Sequence, residues 1–111
     1  MANKHPRVNI LAPGPGVGGH CIPVDPWFIH HAVPERTPLI RTAREVNMAK
    51  THHVAEKIAA RAERFKEPAI AVLGLAYKPD VDDLRESPAV EIAVELAKLK
   101  NARILVVEPH I

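Results

Sequence analysis

A glycine-rich segment holds the residues best suited to chemistry. Gly18 and Gly19 precede His20 and Cys21, and Asp25 follows the cysteine by four positions. Glycines let a substrate approach the backbone closely, and loop amides can stabilise an oxyanion. A thiolate adds to carbonyl carbons, while an imidazole and a carboxylate move protons. This pattern fits acyl transfer or aldehyde oxidation without choosing between them, and a lone cysteine is also commonly a small buried apolar residue.

A second polar segment, residues 77–88, reads YKPDVDDLRESP and follows an apolar stretch. If that stretch is a parallel strand, the segment lies at its carboxyl end, where α/β sheets bind ligands. Lys78 and Arg85 are suited to phosphates, helped by the N-terminus of a helix that begins at Ser87. The alternative is a solvated loop with an ordinary helix cap. Gly74 is followed by no GxGxxG pattern, which argues against a standard NAD site in this unit.

Seven histidines, including two adjacent pairs at residues 30–31 and 52–53, raise the question of a metal site. Neighbouring residues on a helix point about 100° apart, so adjacent histidines do not converge on one ion. The sequence has no HExxH or CxxC spacing. We therefore predict no metal site.

The elements that must position these residues change type along the chain. Glycine and proline in residues 12–38 exclude one long regular element and predict a shaped loop with short turns. A helix is then predicted from an N-cap at Thr37 to about Phe65, roughly 28 residues or about 40 Å. Asn47 and Lys50 interrupt its apolar stripe, and we interpret them as positions where the stripe leaves the core. The stripe recurs at three- and four-residue steps: Ile40, Ala43, Val54, Ile58, Ala62 and Phe65. Its length suggests a connector between domains or a helix that pairs with a partner chain.

The second half of the chain has the pattern of a βαβ unit. Residues 69–75 and 103–109 predict two parallel strands buried on both faces. Between them, a helix is predicted from an N-cap at Ser87 to about Lys100, with Asn101 as its C-terminal cap. The residues on its apolar face are Ile92, Leu96 and Leu99. The predicted fold class is α/β, a long central helix followed by an incomplete Rossmann-like βαβ unit with a truncated parallel sheet.

Composition excludes several classes of protein. The 111 residues have 47% hydrophobic and 25% charged side chains, as in an ordinary soluble domain. One cysteine excludes an internal disulfide, and a net charge of +2 gives no argument for nucleic acid. No apolar run reaches the roughly 18–20 residues of a membrane span, and the start carries no apolar signal segment, so we expect a cytoplasmic protein. Because one βαβ unit does not make a stable sheet, we expect a truncated domain.

Three segments together resemble the UDP-glucose/GDP-mannose dehydrogenase family. Residues 14–28 (GPGVGGHCIPVDPWF) resemble its catalytic cysteine motif, and residues 43–47 (AREVN) resemble the start of its central helix. Residues 73–88 resemble the motif that opens its UDP-sugar-binding domain, and Glu108 with Pro109 fits the end of the second strand there. The resemblance implies two parts: residues 1–66 with the cysteine loop and a dimerisation helix, and residues 67–111 as the N-terminal part of the UDP-sugar-binding domain.

The resemblance also implies a chemistry in which NAD⁺ oxidises the sugar C6 twice. Cys21 captures the intermediate aldehyde as a thiohemiacetal, and the second oxidation gives a thioester that water hydrolyses. Asp25 helps to activate that water or orients the proton-transfer network.

The binding roles implied by the family fall on both polar segments. Lys78 contacts the UDP-sugar, and Arg85 reaches the NAD. Gly18 and Gly19 shape the sugar pocket, while His20 touches the substrate or sets the loop.

Several segments resemble the hexosamine branch of the family. Val24 stands where UDP-glucose enzymes usually carry lysine, and His20 and residues 26–28 fit the same branch, as do residues 7–10 (RVNI) and 39–45 (LIRTARE). The implied reaction is oxidation of UDP-N-acetyl-D-mannosamine to its uronate for surface polysaccharides. UDP-N-acetylglucosamine and UDP-glucose are the alternative substrates.

The resemblance implies a homodimer formed through the central helix, with no nucleic acid or membrane partner. The family's N-terminal dinucleotide-binding domain is absent from these residues, so we expect the isolated chain to be inactive. Two other interpretations stay open at this point, a non-catalytic oligomerising fragment and a different cysteine enzyme with a histidine base near Cys21.

Overall fold

The computed structural model describes residues 2–4, 7 and 12–109. A parallel pair of strands and three α-helices form its framework, and short 3₁₀ turns occupy Ala2–Lys4 and Pro34–Arg36. The elements in chain order are helix α1 (Asp25–Ala32), helix α2 (Pro38–Ala62), strand β1 (Ala69–Leu73), helix α3 (Pro88–Leu96) and strand β2 (Arg103–Val107). The two strands pair in register from Ala69 opposite Arg103 to Leu73 opposite Val107. The predicted α/β class with parallel strands is confirmed.

The long central helix is present as α2, with Pro38 in its first turn as predicted. It has 25 residues and ends at Ala62, three positions before Phe65. The predicted side-chain cap at Thr37 is wrong, because its hydroxyl is used by the preceding turn. Thr37 Oγ1 donates to the carbonyl of Val33 at 3.0 Å and lies 2.8 Å from His30 Nδ1.

The hydrophobic core lies where α2 and α3 meet one face of the sheet. Ala55, Ile92 and Leu96 form its buried centre, and Leu96 is only 2% exposed. Partly buried apolar side chains surround them: Val54, Ile58, Ile70, Val72, Leu99 and Ile104. The apolar face predicted for α3 is therefore confirmed.

The prediction that both strands are buried on both faces is wrong. Alternate residues of a strand point to opposite faces, and only the face of Ile70, Val72 and Ile104 meets the helices. On the other face Leu73 is 78% exposed, and Leu105 and Val107 are also exposed. One helical layer covers one face of this sheet, which accounts for the difference. β1 also ends at Leu73 rather than residue 75, where Gly74 takes a positive φ of 87°.

The ends of α3 differ from the sequence prediction. Ser87 precedes the helix, but no cap hydrogen bond forms, because its hydroxyl donates to the carbonyl of Leu75 at 2.6 Å. The helix stops at Leu96 with Ala97 as its C-cap, so the assignment of Asn101 as the cap is wrong.

The loop predicted over residues 12–38 contains a helix that the sequence analysis missed. α1 begins at Asp25 with Pro26 in its first turn, directly after the glycine-rich segment. An acidic residue followed by proline is a signal for a helix start, and the surrounding prolines obscured it.

Within the described residues, no helix is both long enough and apolar enough to cross a membrane. Two sequence predictions fall partly outside the described part of the chain. They are the segment RVNI, at residues 8–10, and the outer limits of the two predicted domains, at residues 1 and 110–111.

Removal of the most deeply buried side chain tests this core. We expect Leu96→Ala to lower the free energy of unfolding by about 2–5 kcal/mol, because it leaves a cavity between α2, α3 and the sheet. Val94→Ala, an exposed position on the same helix, is the matched control and should change stability by no more than about 0.5 kcal/mol. Urea unfolding followed by circular dichroism measures both, and equal effects of the two variants would contradict this packing.

Candidate active site

The glycine-rich loop is fastened to helix α2 by two side chains. Asn47 Oδ1 accepts a hydrogen bond from the backbone N–H of Val17 at 3.1 Å. Thr51 Oγ1 donates to the carbonyl of Pro15 at 3.1 Å. Positions four residues apart share one face of a helix, so both bonds hold the same stretch of loop. Asn47 therefore faces the loop, and its interpretation as a place where the apolar stripe leaves the core misses this contact.

The same loop is packed against the polar segment on its other side. The N–H of Gly19 donates to the carbonyl of Arg85 at 3.3 Å. A methyl group on Gly19, whose φ is +95°, would lie 3.0–3.4 Å from the Tyr77 ring. A methyl group on Gly18 would lie 2.5 Å from the Glu86 carbonyl oxygen. The structure thus brings the two polar segments together, and it places both glycines against protein atoms.

Cys21 is an exposed residue in the turn that leads into α1. Its carbonyl accepts the N–H groups of Val24 at 3.0 Å and Asp25 at 2.8 Å. Asp25 is exposed at the first position of the helix. One backbone turn therefore sets the spacing between the thiol and this carboxylate.

Asp83 holds the guanidinium of Arg85. Arg85 Nε donates to Asp83 Oδ1 at 2.9 Å and Nη2 donates to Oδ2 at 2.7 Å, while the Arg85 backbone N–H donates to Oδ1 at 2.9 Å. These hydrogen bonds stabilise the charged carboxylate, so the pKa of Asp83 falls to about 2. His20 Nδ1 stands 4.0 Å from Asp83 Oδ2, and the charge of His20 makes a small contribution in the same direction.

The partnership also acts on the arginine. The pKa of Arg85 is raised above its ordinary value, first by its hydrogen bond with Asp83 and then by the carboxylate charge. Smaller contributions come from Tyr77 and Cys21, and the Arg85 carbonyl accepts the N–H of Gly19, two residues before the thiol. The Arg85 side chain is 67% exposed, whereas that of Asp83 is 18% exposed. The pair presents a fixed cation beside the cysteine loop.

A cleft of about 660 Å³ opens at the carboxyl ends of β1 and β2. Tyr77, Lys78 and Glu108 are among its lining residues. Glu108 Oε2 accepts the N–H groups of Leu75 at 2.6 Å and Ala76 at 3.2 Å, which ties the end of β2 to the loop after β1. Lys78 is exposed, with its ammonium 5.7 Å from the centroid of the Tyr77 ring. Tyr77 therefore contacts both the cleft and Gly19.

The seven predicted site residues occupy two adjoining surfaces. The cysteine loop carries Gly18, Gly19, His20, Cys21 and Asp25, while the polar segment carries Lys78 and Arg85. Four side chains hold these surfaces in place, a role that the sequence did not predict for them: Asn47, Thr51, Asp83 and Glu108. For Asn47 and Thr51 the sequence did contain a signal, because two polar residues four positions apart interrupt the apolar stripe of the helix.

The paired histidines serve other contacts. His52 lies between two carboxylates, with Nε2 3.1 Å from Glu56 and Nδ1 3.2 Å from Glu95. The His30 ring packs edge-on against Trp27, with centroids 5.9 Å apart. Among residues 2–4, 7 and 12–109, no group of three or more histidine, cysteine or acidic side chains is placed to hold a metal ion.

The loop that carries an exposed thiol thus packs against the segment that borders a cleft at the ends of two parallel strands, and comparison with known proteins gives the family of the chain. The family model described as the UDP-glucose/GDP-mannose dehydrogenase family, central domain, matches residues 1–49. The model of that family's UDP binding domain matches residues 71–111. The chain therefore belongs to the UDP-glucose/GDP-mannose dehydrogenase family, whose members are oxidoreductases.

Two of the curated proteins that are similar to this chain are named as dehydrogenases of different nucleotide sugars. The chain is 62% identical over 111 residues to the NDP-N-acetyl-D-galactosaminuronic acid dehydrogenase of Ralstonia nicotianae, covering all of this chain and 26% of the relative. It is 58% identical over 111 residues to the UDP-N-acetyl-D-mannosamine dehydrogenase of Campylobacter jejuni, covering all of this chain and 27% of the relative. The chain thus spans about a quarter of the length of the curated relatives it matches.

Solved structures give the same fold. The native UDP-N-acetyl-mannosamine dehydrogenase of Staphylococcus aureus matches with a TM-score of 0.75 and 43% identity, covering all of this chain and 25% of that one. The UDP-D-ManNAc dehydrogenase of Pyrococcus horikoshii matches with a TM-score of 0.79 and 39% identity, covering 98% of this chain and 27% of that one. These likenesses extend through the cysteine loop, the central helix and the βαβ unit.

The contact between Gly19 and Tyr77 has a direct test. We expect Gly19→Ala to destabilise the chain by about 1–3 kcal/mol, because a side chain there is strained at φ +95° and meets the Tyr77 ring. Gly14→Ala is the matched control, since its added methyl group comes no nearer than 3.9 Å to the carbonyl oxygen of Gly16. Thermal unfolding compares the two. Adding Tyr77→Ala to Gly19→Ala should recover only part of the loss, and a Gly19→Ala chain as stable as the control would exclude the contact.

The pairing of Asp83 predicts a pH effect with a definite sign. The pKa of its carboxyl is about 2 in the folded chain against an ordinary value of 3.8, so folding favours the ionised form. The stabilisation is complete above about pH 4 and is lost as the pH falls towards 2. Asp83→Asn should remove this part of the pH dependence of the unfolding free energy, whereas Asp82→Asn at the adjacent exposed residue should retain it. A carboxyl resonance of Asp83 that titrates near 3.8 by NMR would contradict the assignment.

Proposed function

We propose that this chain forms the catalytic loop, central helix and first part of the UDP-binding domain of an NAD-dependent UDP-N-acetylhexosamine 6-dehydrogenase. In this proposal residues 1–66 carry the loop and helix, and residues 67–111 begin the UDP-binding domain. The substrate is UDP-N-acetyl-D-mannosamine and the product is its uronate, a building unit for surface polysaccharides. The observation that carries the proposal is the contact between Gly19 and Tyr77. Because Tyr77 also lines the strand-end cleft, this contact brings the loop of the exposed Cys21 next to the cleft.

The nucleotide binds in the cleft at the carboxyl ends of β1 and β2. Open α/β sheets bind ligands at this edge, and the match to a UDP-binding domain model over residues 71–111 supports the assignment. Lys78 lines the cleft with an exposed ammonium group that is suited to a diphosphate. The sugar then extends towards the loop of Gly18 and Gly19.

Cys21 is the nucleophile for the intermediate aldehyde. Its sulfur adds to the aldehyde carbon, and the carbonyl oxygen takes up a proton to give a thiohemiacetal. Oxidation of that adduct leaves a thioester at the same carbon. Exposure of Cys21 and the nearby Arg85 charge support access by an anionic substrate.

Asp25 serves the hydrolytic step. A water molecule adds to the thioester carbon, the C–S bond breaks, and the Cys21 thiol is restored as the carboxylate leaves. Asp25 accepts the proton of that water or orients the network that does so, which its exposed place one turn from Cys21 permits. His20, 4.0 Å from the Asp83 carboxylate, either contacts the sugar or keeps the loop in register.

The Arg85 guanidinium is suited to bind a phosphate of a dinucleotide. Asp83 occupies the Nε and Nη2 edge of the Arg85 guanidinium, which leaves the opposite edge of a largely exposed side chain for a cofactor phosphate. This donor chemistry fits NAD⁺, and two NAD⁺ molecules bound in succession would each accept one hydride, one for each oxidation. Arg85 then connects the cysteine loop with the cofactor.

The whole enzyme is a cytoplasmic homodimer in this proposal, with α2 at the interface. Exposed apolar side chains on α2, namely Leu39, Val46 and Met48, support a helix that pairs with a partner. The 111-residue chain on its own is inactive in this proposal, because its curated relatives are about four times as long.

A second candidate substrate is the corresponding N-acetyl-D-galactosamine derivative. The relative from Ralstonia nicotianae, named for N-acetyl-D-galactosaminuronic acid, is 62% identical to this chain, and the mannosamine enzyme from Campylobacter jejuni is 58% identical. Both relatives act on acetylated amino sugars by their names, so they favour the same class of substrate and differ in the stereochemistry of the sugar ring.

The function is tested in a chimera in which these 111 residues replace the matching segment of the Campylobacter jejuni relative, which aligns over 111 residues. NADH release and uronate formation are measured with the UDP-activated mannosamine, galactosamine and glucosamine derivatives and with UDP-glucose. We expect turnover of the mannosamine derivative, and none by the 111-residue chain alone. A chimera that folds and oxidises only UDP-glucose would overturn the proposed substrate class.

Cys21→Ser tests the nucleophile in the same chimera. We expect uronate formation to fall by about a hundredfold or more, because serine lacks the thiolate that captures the aldehyde. Asp25→Asn should instead retain aldehyde capture and slow release of the uronate, which mass spectrometry detects as a covalent adduct on Cys21. Uronate production at the unsubstituted rate by Cys21→Ser would eliminate this role.

A further inference from the structure

The face of α2 that meets the cysteine loop is polar at defined positions. Asn47 lies on this face between Arg44 and Thr51, at spacings of three and four residues that keep all three on one side. Asn47 is half-buried and Thr51 is buried. The side chains of Asn47 and Thr51 both form hydrogen bonds with the backbone of the loop. At an exposed position of the helix, the same polar groups would bond to water instead.

The orientation of the Asn47 amide follows from its two donors. Oδ1 accepts from the Val17 N–H at 3.1 Å and from Arg44 Nη1 at 3.3 Å. Because both partners can only donate, the oxygen rather than the nitrogen must face them. The guanidinium also polarises this carbonyl and strengthens it as an acceptor for Val17.

Thr51 gives the loop its second fixed point. Its hydroxyl donates to Pro15, and a methyl group on Gly16 would lie 2.9 Å from the same oxygen. The loop therefore lies directly on the helix between its two anchors. Cys21 follows Val17 by four residues, with Gly18 and Gly19 between them.

We propose that Asn47 is a positioning residue for the cysteine loop: its carbonyl fixes the Val17 backbone and so sets where Cys21 stands relative to the bound sugar. Thr51 acts with it as the second anchor. The proposal rests on the proposed function, because it concerns the presentation of Cys21 to a carbonyl substrate. Neither side chain takes part in the chemistry.

Asn47→Leu and Asn47→Asp in the chimera separate positioning from bulk structure. Leucine has a similar size without the acceptor, whereas aspartate keeps an acceptor for Val17 and Arg44. We expect Asn47→Leu to lower kcat roughly tenfold to a hundredfold, as for a displaced catalytic group, with KM for the nucleotide sugar unchanged. Asn47→Asp should restore most of kcat, and Asn101→Leu, in an exposed turn, is the control for the substitution itself.

Two readouts follow the loop without catalysis. Hydrogen exchange at the Val17 amide and alkylation of Cys21 by iodoacetamide should both change in Asn47→Leu and stay unchanged in Asn47→Asp. Unchanged Val17 exchange, or a kcat for Asn47→Leu equal to that of the Asn101 control, overturns the proposal. Cys21→Ser judges the proposed function separately, so failure of the nucleophile assignment is distinguishable from failure of the loop anchor.

Thr51→Val gives a second measurement if Asn47→Leu does not fold. Valine keeps the shape of threonine and removes the donor to Pro15, so we expect a smaller loss of kcat that Thr51→Ser reverses. Thr42→Val, at an exposed position on the same helix, is the matched control. Equal kcat values for Thr51→Val and Thr42→Val overturn the role of the second anchor and, with it, the two-point attachment.

Discussion

The close approach of two backbones, at Gly19 and Arg85, is the constraint on which the site depends. A hydrogen bond of 3.3 Å joins them, and a methyl group on Gly19 would lie only 3.0–3.4 Å from the Tyr77 ring. Glycine is favoured because the position combines a positive φ of +95° with this close contact. Without this approach, the thiol-bearing loop and the strand-end cleft would be separate features of the molecule.

Helix α2 connects stability with the site because successive turns of the helix have different tasks. Ala55 packs in the core against Ile92 and Leu96, whereas Asn47 and Thr51, on the two preceding turns, hold the loop. The core fixes the helix and the helix fixes the loop, so the placement of Cys21 depends on apolar packing that begins one turn beyond Thr51. A small core with one covered sheet face therefore still defines the geometry of the cysteine loop.

Local sequence signals located α2, α3 and both strands, missed α1, and predicted side-chain hydrogen bonds poorly. Apolar residues at three- and four-residue steps indicated the two helices, and short apolar runs indicated the strands. The hydroxyl groups of Thr37 and Ser87 were expected to cap helices, yet they bond to Val33 and Leu75. A hydroxyl chooses among nearby acceptors, and those are known only once the chain has folded. Asn47 was misinterpreted for the same reason, since its partner Val17 is 30 residues away.

Tyr77 has consequences for how the two surfaces communicate. Its ring borders the cleft at the ends of the strands and also rests against Gly19. The same residue therefore takes part in both contacts, so a shift of the ring that alters its contact with Gly19 also alters the lining of the cleft. Coupling of this kind is reciprocal: if a ligand in the cleft favours one orientation of the ring, a loop that favours the same orientation strengthens binding of that ligand equally. In the proposed enzyme, Tyr77 connects the nucleotide cleft with the loop that carries Cys21.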